Sequence, residues 1–481
     1  MNPLPVRPQN IIVFGDIMLD RMICGKIDRI ANEAPVPVVV HQSEKKFLGG
    51  CGNVVMNLQA LGCEKLYVFS MIGDDAHGKE ISSILSGHPE IVQHLSVDAS
   101  YTTTVKTRGF VDKKIIFRYD IERRAALLDA HKEEIRRGLK TIVETTRIDA
   151  ILMSDYNRGY LVKELTQYVI QLANEHGINT FVDLKADYTK YIGCTLIKPN
   201  RKELQDVFGI EYRRSELAQI HASVKAKVSC KETLFTLSEE GMSLGTEDGT
   251  ILNEKTEECD VNDVTGAGDV VISIIAYYYA SLSRAKLIQL ATYVGTTSVK
   301  HVGTYVLKKS DILRGCKSIH TSKLIRAEDA RYLKHPIVFT NGCFDILHEG
   351  HIELFNYCRS IRQPGGEVLV AINSDASIQR LKGPTRPIHT VETRLALLNA
   401  IEAIDWIIVF DEDTPYEVLE QIRPHTLVKG SDYTVESLSG REFCEEVRLF
   451  TFIPGKSTTN TIKKIRDLGV GEAGPYSGNG P

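Results

Sequence analysis

Short runs of almost entirely apolar residues recur along the chain, and helical patterns separate them. A strand that is apolar on both faces must be covered on both faces, as in a parallel sheet between layers of helices. Alternation of strand and helix therefore predicts an α/β fold with parallel sheets and right-handed crossovers. The predicted strands are Ile11–Gly15, Ala150–Ser154, Thr180–Leu184, Thr233–Leu237, Ile337–Thr340, Val368–Ile372, Trp406–Phe410 and Thr426–Val428.

Two segments depart from this buried pattern. Pro35–His41 and Thr102–Tyr119 have the composition of extended, partly exposed strands, and Val111–Ile116 reads as a hairpin. We expect them to form a small β-sheet that stands off the main body as a lid or a dimer surface. A further hairpin is predicted at Asp248-Gly249.

The length of the chain and a lapse in the strand pattern predict its domains. A chain of 481 residues is long enough for two or three domains. The pattern becomes polar and charged between Leu313 and His335, and a new strand follows Pro336. We predict a first domain over 1–318, a linker over 319–335, a second domain over 336–470 and a disordered tail over 471–481, which is rich in Gly, Ser and Pro.

Charge and cysteine content exclude several classes of protein. With 58 Lys and Arg against 62 Asp and Glu, the net charge of -4 provides no basic field for nucleic acid. None of the ten cysteines forms a C-x-x-C pair, which argues against zinc and favours a reducing compartment. Residues 1–16 lack a signal-peptide pattern, and the most apolar stretch, Val270 to Leu282, is too short to span a bilayer. We expect a cytoplasmic protein without nucleic-acid or membrane partners.

The first candidate site is the segment Asp263 to Asp269, which leads into an apolar helical stretch. Small residues at Gly266, Ala267 and Gly268 allow backbone N–H groups to converge at a helix N-terminus, where an anion is favoured. Asp269 in the first turn could take a proton from an attacking hydroxyl. On this motif alone, a glycine-rich turn with a helix-stabilising aspartate remains an open alternative.

Three further loops accompany that segment. Asp20 follows the first strand, and a flexible loop carries Gly49, Gly50 and Asn53. Asn200 and Glu203 follow another strand, three residues apart, and could hold a hydrated Mg²⁺ near phosphates.

In this order, these motifs resemble the ribokinase-like family of sugar kinases over about residues 10–315. The resemblance implies that Asp269 is the catalytic base and that residues 266–268 form the anion hole. It also implies that ATP is the phosphoryl donor and that Mg²⁺ is organised by the pair Asn200 and Glu203. The implied sugar-binding residues are Asp20, Gly49, Gly50, Asn53 and Lys185, and the implied nucleotide-side residues are Asn200, Glu203, Ser238, Gly241 and Asp263.

The second candidate site follows strand Ile337–Thr340 and contains His348 and His351 in the pattern H-x-G-H. Histidines three apart do not fit the H-E-x-x-H zinc motif, which needs them four apart. Gly455-Lys456-Ser457 does not complete a Walker A loop, because Phe450 stands where its first glycine belongs. A lone pair of histidines is more often structural, but a position after a strand end favours a nucleotide site.

The H-x-G-H pattern, together with Arg394 and Ser457–Thr459, resembles the cytidylyltransferase-like nucleotidyltransferases over about Pro336 to Leu468. The resemblance implies that His348 and His351 stabilise charge that develops at the α-phosphate of a nucleoside triphosphate. For Asp375, a helix cap is an equally open interpretation. The implied nucleotide-binding residues are Thr340, Asn341, Gly342, Phe344, Asp375, Lys382, Arg394, Lys429, Ser457, Thr458 and Thr459.

A sugar kinase followed by a nucleotidyltransferase resembles the family of bifunctional enzymes that make ADP-heptose for lipopolysaccharide core or a related glycan. The resemblance implies phosphorylation of D-glycero-β-D-manno-heptose 7-phosphate at C1, adenylyl transfer from ATP to heptose 1-phosphate, and a homodimer formed through the lid. Another sugar phosphate, or CTP, remains an open alternative. The candidate cations for the 7-phosphate are Arg21, Arg108, Arg118 and Lys185, and we prefer Lys185 because it follows a strand end.

Overall fold

The computed structural model describes residues 9–112, 114–124, 127–318, 323–333, 336–431 and 434–451. The chain divides into two compact units, one that ends at Gly315 and one that continues from Cys316. The predicted phosphate-binding residues Ser457, Thr458 and Thr459 and the predicted tail lie outside the described residues.

The first unit is built from alternating strands and helices, as predicted. Its strands are β1 (Asn10–Gly15), β2 (Ile17–Ile30), β3 (Pro37–Gly50), β4 (Lys65–Gly73), β5 (Ile91–Asp98), β6 (Val105–Val111), β7 (Lys114–Ile121), β8 (Ala150–Ser154), β9 (Asn179–Asp183), β10 (Leu196–Ile197), β11 (Glu232–Thr236), β12 (Met242–Gly245) and β13 (Ile251–Glu254). Its helices are α1 (Cys51–Leu61), α2 (Ala76–Ser86), α3 (Asp129–Thr145), α4 (Lys163–Glu175), α5 (Arg201–Phe208), α6 (Leu217–Val228), α7 (Ala267–Tyr278) and α8 (Arg284–Val299), and α9 (Lys309–Ser318) crosses the boundary between the units.

A sheet of nine strands in the order β13-β12-β11-β10-β9-β8-β1-β4-β5 forms the centre of this unit. Its pairs are parallel from β5 to β11, and β12 and β13 are antiparallel, as the predicted hairpin at Asp248-Gly249 requires. Buried apolar side chains cover both faces of the sheet. The chain leaves β1 toward β4 on one side and returns to β8 on the other, so the carboxyl ends of β1 and β8 form a topological switch point, where ligands of α/β proteins bind.

The two partly exposed segments contribute β3, β6 and β7 to a separate sheet of four strands, in the order β3-β2-β6-β7, which we call the lid. Its remaining strand, β2, was not predicted. Strand β2 pairs with β3 in antiparallel and with β6 in parallel, and β6 and β7 form the predicted hairpin. Asp20 in β2 is thereby placed opposite Lys106 in β6.

The second unit has a parallel sheet of five strands. Its strands are β14 (Ile337–Gly342), β15 (Glu367–Asn373), β16 (Trp406–Phe410), β17 (Thr426–Gly430) and β18 (Glu446–Phe450), in the order β16-β15-β14-β17-β18. Its helices are α10 (Glu349–Ser360), α11 (Asp375–Lys382), α12 (Val391–Asn399) and α13 (Tyr416–Ile422). Strand β14 lies between β15 and β17, so its carboxyl end is the switch point of this sheet.

The predicted linker differs from the structure over its described part. Lys323 N–H donates to Asn399 Oδ1, and Leu324 forms an isolated bridge with Ile407. A 3₁₀ helix over Ala327–Tyr332 buries Asp329. Residues 323–333 therefore belong to the packing of the second unit, because they continue the edge of its sheet beyond β16.

Candidate active sites

Asp269 lies in the first turn of α7 with only 2% of its surface exposed. Asn53 Nδ2 donates to its Oδ2 at 3.0 Å, and the Tyr156 hydroxyl donates to its Oδ1 at 2.9 Å. Burial raises the pKa of Asp269 to about 7, repulsion from Asp183 adds to the rise, and the two hydrogen bonds oppose it. A carboxyl group that titrates near neutral pH is suited to act as a general base.

The N-terminus of α7 accepts only small residues. Gly266 has a φ of 77°, and a Cβ on it would lie 2.6 Å from Asn53 Nδ2. A Cβ on Gly268 would lie 3.2 Å from Lys198 Nζ. The predicted anion hole, Gly266 to Gly268, is therefore brought together with Asn53 and Asp269 at a helix end that favours an anion.

Lys198 is a residue that the sequence analysis missed. It is buried beside the anion hole, and its Nζ forms an ion pair with Asp183 at 2.9 Å. Burial alone would lower the pKa of Lys198, but the attraction of Asp183 and Glu203 raises it above its usual value. The available signal was its position directly after β10, at the carboxyl edge of the sheet.

A chain of amides fixes the orientation of Asn53. Leu307 N–H donates to Asn57 Oδ1 at 2.9 Å, so the Asn57 Nδ2 group must point the other way. Asn57 Nδ2 then donates to Asn53 Oδ1 at 3.0 Å, which leaves Asn53 Nδ2 directed at Asp269. These side chains are buried, so the order of donors and acceptors determines which face Asn53 presents to the base.

Asp20 is buried at the inner face of the lid. The Thr304 hydroxyl donates to its Oδ2 at 2.6 Å, and Arg108 approaches its Oδ1 at 3.5 Å. A Cβ on Gly49 would lie 2.6 Å from Asp20 Oδ2, so glycine is needed at that position, as the sequence pattern suggested. Gly50 has a φ of 60° and begins α1, which carries Asn53.

The predicted Mg²⁺ residues have other partners in this structure. Asn200 and Glu203 form a capping box at the start of α5, and Glu203 Oε1 accepts a hydrogen bond from Lys185 Nζ at 2.9 Å. Both oxygens of Glu203 are therefore engaged by the chain. No cluster of three metal-ligating side chains occurs among the described residues.

Two other predicted positions, Lys185 and Asp263, make contacts within the chain. Lys185 pairs with Glu203, whereas Asp20 contacts Thr304 and Arg108, so Lys185 does not contact the aspartate that was predicted to bind the sugar. Asp263 accepts hydrogen bonds from Thr265 and from the Gly303 N–H, so it ties two loops together.

Ser238 and Gly241 form a tight turn after β11. Both have positive φ, 55° and 86°, and a Cβ on Gly241 would lie 2.0 Å from the Glu254 carbonyl oxygen. Asn200 forms a bridge with Thr236 at the end of the same strand. The turn and the Asn200 cap are therefore neighbours at one edge of the sheet, and their predicted roles toward ATP stay predictions.

In the second unit, the H-x-G-H loop follows the carboxyl end of β14. Phe344 has a φ of 44°, a strained conformation for a residue with a bulky side chain, and its ring packs against His351 with centroids 5.1 Å apart. The rings of His348 and His351 stack with centroids 3.7 Å apart. The packing of Phe344 therefore holds His351, and through it His348, in one orientation.

Burial disfavours the charged form of both histidines. Burial lowers the pKa of His348, and burial, with His348 and Lys382 nearby, lowers the pKa of His351 to about 3. Their Nδ1 atoms are buried without a hydrogen-bond partner in the part of the chain that the structure describes. The two rings can therefore offer hydrogen bonds to a phosphate.

A cavity of about 480 Å³ opens beside this pair. The side chains that line it include most of the predicted nucleotide-binding set. They are Thr340, Asn341, Gly342, Phe344, Lys382 and Lys429, and the predicted catalytic residue His351 lines the cavity with them. Thr340 Oγ1 and Asn341 Oδ1 are buried without a partner among the described residues, and such atoms suit a polar ligand.

Arg394 has a different role from the predicted contact with nucleotide. It is 0% exposed, and it donates to the backbone carbonyls of Cys343, Asn373 and His389 and to Asp375 Oδ1. A fully buried guanidinium cannot reach a ligand, so Arg394 holds the loop that carries the site. Asp375, whose Oδ2 accepts the Val391 N–H, serves the same purpose.

Asp345 and Arg386 are residues of this unit that the sequence analysis missed. Arg386 Nε donates to Asp345 Oδ2 at 2.7 Å, and Asp345 also accepts the N–H groups of Ile388 and His389. Burial raises the pKa of Asp345, but these backbone donors and Arg386 hold it below its usual range. Asp345 therefore stays ionised and anchors the segment that lies beside the cavity.

Two segments of the chain, each containing one of these sites, match known families. Residues 8–310 match the model of the pfkB family of carbohydrate kinases, and residues 339–468 match the cytidylyltransferase-like model. The first unit also resembles phosphofructokinase-2 from Escherichia coli, with a TM-score of 0.53 at 16% identity, over 65% of this chain and 99% of that one. The fold is therefore that of a pfkB carbohydrate kinase followed by a cytidylyltransferase-like domain of Rossmann type, as the sequence predicted.

Relatives of full length carry both domains. The chain is 38% identical to the bifunctional protein HldE of Sulfurimonas denitrificans over 96% of this chain and 98% of that protein. It is 36% identical to the HldE of Aliarcobacter butzleri over 95% and 98% of the two chains. The chain belongs to this family of bifunctional HldE proteins, in which a carbohydrate kinase precedes a nucleotidyltransferase. Among the described residues, no helix has the length and apolar character needed to cross a membrane.

Proposed function

We propose that the chain catalyses two steps of ADP-heptose synthesis. The first is transfer of the γ-phosphoryl group of ATP to O1 of D-glycero-β-D-manno-heptose 7-phosphate, and the second is transfer of the adenylyl group of ATP to heptose 1-phosphate. One observation carries the proposal: a single chain contains both sites. One site has a buried carboxyl group at a helix N-terminus, and the other has a stacked histidine pair beside a nucleotide-sized cavity.

In the kinase step, Asp20 and the backbone at Gly49 bind the sugar, and Asp269 accepts the proton of the C1 hydroxyl. The O1 atom then attacks the γ-phosphorus, the bond from that phosphorus to the β,γ-bridging oxygen breaks, and ADP leaves. The N–H groups at the start of α7 and the charge of Lys198 stabilise the transferring group.

In the transferase step, an oxygen of the sugar 1-phosphate attacks the α-phosphorus of a second ATP, and pyrophosphate leaves. His348 and His351 donate hydrogen bonds to the α-phosphate oxygens, and they gain positive character as negative charge accumulates there. Lys382 and Lys429, which line the same cavity, attract the remaining phosphates. Arg394 and Asp345 keep the loops of the site in place.

Mg²⁺ is proposed at both sites as part of the Mg–ATP complex. When bound, it would neutralise the negative charge of the phosphates. In the kinase unit, Glu203 and Asn200 would face its water shell, because their own oxygens already accept hydrogen bonds from the chain.

The proposal is tested by phosphorus NMR on the full-length chain with Mg²⁺, ATP and heptose 7-phosphate. A new anomeric phosphate is expected, followed by a pyrophosphate-linked sugar after a 7-phosphatase is added. In a parallel sample, CTP supplied with heptose 1-phosphate should give no nucleotide sugar. If no anomeric phosphate forms with this sugar, the heptose assignment is refuted, and a product with CTP would refute the adenylyl assignment.

A homodimer through the lid is also proposed. Strand β7 exposes Ile115, Phe117 and Tyr119, and Ile30 in β2 and Val40 in β3 are exposed on other strands of the same sheet. Exposed apolar side chains on a sheet of this kind favour association with a second copy. Analytical ultracentrifugation should give a dimer for the natural chain and a monomer for a variant with Ile115→Glu and Tyr119→Glu, and a natural chain that sediments as a monomer would exclude the dimer.

A reducing, cytoplasmic location is the last proposal. It is supported by the cysteines, all ten of which are free thiols in the structure.

A further inference from the structure

Asp16 is a buried carboxylate at the switch point of the first unit. It lies between β1 and β2 and is 3% exposed. Its Oδ2 accepts the N–H of Tyr156 at 2.8 Å and the N–H of Arg158 at 3.0 Å. Its Oδ1 accepts the N–H of Tyr160 at 3.4 Å. Three alternate amides of the loop that follows β8 are therefore bound to one side chain.

This loop, residues 155–160, lies between β8 and α4 and consists of bends without helix or strand. Asn157 and Gly159 have positive φ values of 58° and 109°. Alternation of left-handed and ordinary backbone turns N–H groups toward one point and forms a concave site for an anion. The anion in this concavity is the side chain of Asp16, so an internal carboxylate determines the shape of the loop.

The main chain of Asp16 is bound to a second element of the kinase site. Its carbonyl oxygen accepts the N–H of Cys51, the first residue of α1, at 3.0 Å. Helix α1 carries Asn53, which donates to Asp269 Oδ2, and the loop carries Tyr156, which donates to Asp269 Oδ1. Both hydrogen-bond donors of Asp269 are therefore on segments that are attached to Asp16.

We propose that Asp16 is a positioning residue of the kinase, which places the two hydrogen-bond donors of the catalytic base. This inference rests on the proposed kinase function. Asp16 acts through Asn53 and Tyr156. Its main chain holds the helix of Asn53, and its side chain holds the loop of Tyr156, so a change of the side chain isolates the effect on Tyr156.

The charges around Asp16 and Asp269 determine how a pH profile tests this role. Burial and repulsion from Asp155 raise the pKa of Asp16 to about 6, and the backbone donors oppose the rise. Asp16 therefore stays ionised while Asp269, faced by Asp183 and Lys198, titrates at about 7. The titratable groups near Asp16 are Asp155, Cys51, Tyr101, Tyr160 and Tyr191.

The test measures the acid limb of kcat/KM for phosphoryl transfer by the full-length Asp16→Asn chain. The substitution turns one carboxylate oxygen into an NH₂ group, which cannot accept hydrogen bonds from the loop. The Tyr156 hydroxyl should then leave Asp269, and the acid limb should rise by about one to two pH units. Loss of a nearby negative charge by itself would lower the pKa of Asp269, so the direction of the shift separates positioning from direct repulsion.

A double variant and a control accompany this measurement. In a Tyr156→Phe background, Asp16→Asn should leave the acid limb where Tyr156→Phe alone puts it, because the hydroxyl that the loop positions is already gone. The control is Asp248→Asn, which removes a carboxylate that accepts the Thr250 N–H in the hairpin between β12 and β13, and it should keep the limb of the natural chain. An unmoved limb in Asp16→Asn, or additive shifts in the double variant, refutes the inference.

Hydrogen exchange followed by mass spectrometry tests the loop without turnover. The amides of residues 155–160 should exchange about 10- to 100-fold faster in Asp16→Asn than in the natural chain. This result does not depend on which sugar is phosphorylated, so failure of the proposed function can be told apart from failure of the positioning role. Equal exchange in the two chains refutes that role.

Gly159→Ala is a second variant, and it replaces Asp16→Asn if that chain does not fold. It leaves the Asp16 carboxylate in place but strains the loop, because alanine rarely adopts a φ of 109°. Its acid limb should also rise and its loop amides should exchange faster. Faster exchange with an unmoved acid limb would show that the loop does not orient the base, and it would refute the inference.

Discussion

The hydrogen bond from Tyr156 to Asp269 makes a prediction about the pH dependence of the kinase. Replacement of Tyr156 by Phe removes only the hydroxyl, which donates to Asp269 Oδ1 at 2.9 Å. A donor stabilises the ionised carboxylate, so its loss must raise the pKa of Asp269 further above its present value of about 7. The base is active only when ionised, and therefore the acid limb of the pH profile should move to higher pH.

The size of the shift follows from the strength of the bond. A buried hydrogen bond to a charged group contributes about 1.5–3 kcal/mol. One pKa unit corresponds to about 1.36 kcal/mol, so the acid limb should rise by about one to two units. At pH 7 the ionised fraction of Asp269, and with it the rate, should fall about five- to fiftyfold, and the loss should shrink as the pH is raised.

The assay is kcat/KM of phosphoryl transfer from pH 5.5 to 9.5 for the natural chain, Tyr156→Phe and Tyr160→Phe. Tyr160 is a matched control, because it is a buried tyrosine of the same loop whose hydroxyl does not hydrogen bond to Asp269. The pH profile of Tyr160→Phe should have its acid limb at the same pH as that of the natural chain. A Tyr156→Phe profile that is lower at every pH but has an unmoved limb would refute the reasoning, because it would indicate a purely structural effect.

Three further predictions concern separate parts of the chain. Asp269→Asn should lower phosphoryl transfer by about 10²–10⁴-fold and leave adenylyl transfer unchanged, and loss of both activities in a folded variant would contradict two independent sites. His351→Ala should lower adenylyl transfer by about 10²–10³-fold, measured by pyrophosphate release, with kinase turnover preserved. Arg394→Ala should destabilise the second unit by about 3 kcal/mol, since it leaves buried acceptors without a donor. Trp406, the single tryptophan, is buried in β16, so its fluorescence reports the unfolding of the second unit. Arg380→Ala, which changes an exposed arginine, is the control and should leave the unfolding transition unchanged.

The sequence determined the strands and the order of the motifs. Apolar runs predicted β1, β8, β14 and β15 to within two residues, because a strand buried on both faces must be apolar along its whole length. The sequence also indicated Asp269 and the glycines before it as a candidate site, because small residues at a helix N-terminus form a local pattern in the chain. Fold class and family follow from such local patterns.

The partners of each site residue depended on the tertiary structure. Tyr156 is 113 positions from Asp269 along the chain, and the two meet because β8, which precedes Tyr156, lies beside β1 and near α7. Lys106 and Arg108 join Asp20 only because β6 pairs with β2 across the lid. A local sequence pattern does not predict these contacts between distant residues, because the order of the strands depends on packing over the whole sheet.

The roles of individual charges were also decided by the fold. The sequence predicted that three charged residues bind a ligand, namely Arg394, Lys185 and Glu203. In the structure, each of them instead forms hydrogen bonds within the chain. A charged side chain binds a ligand only if burial and neighbouring groups leave its charge unmatched, and that balance exists only in the folded protein. The sequence by itself determined which chemistries the chain carries, and the tertiary structure decided which side chains remain available to perform them.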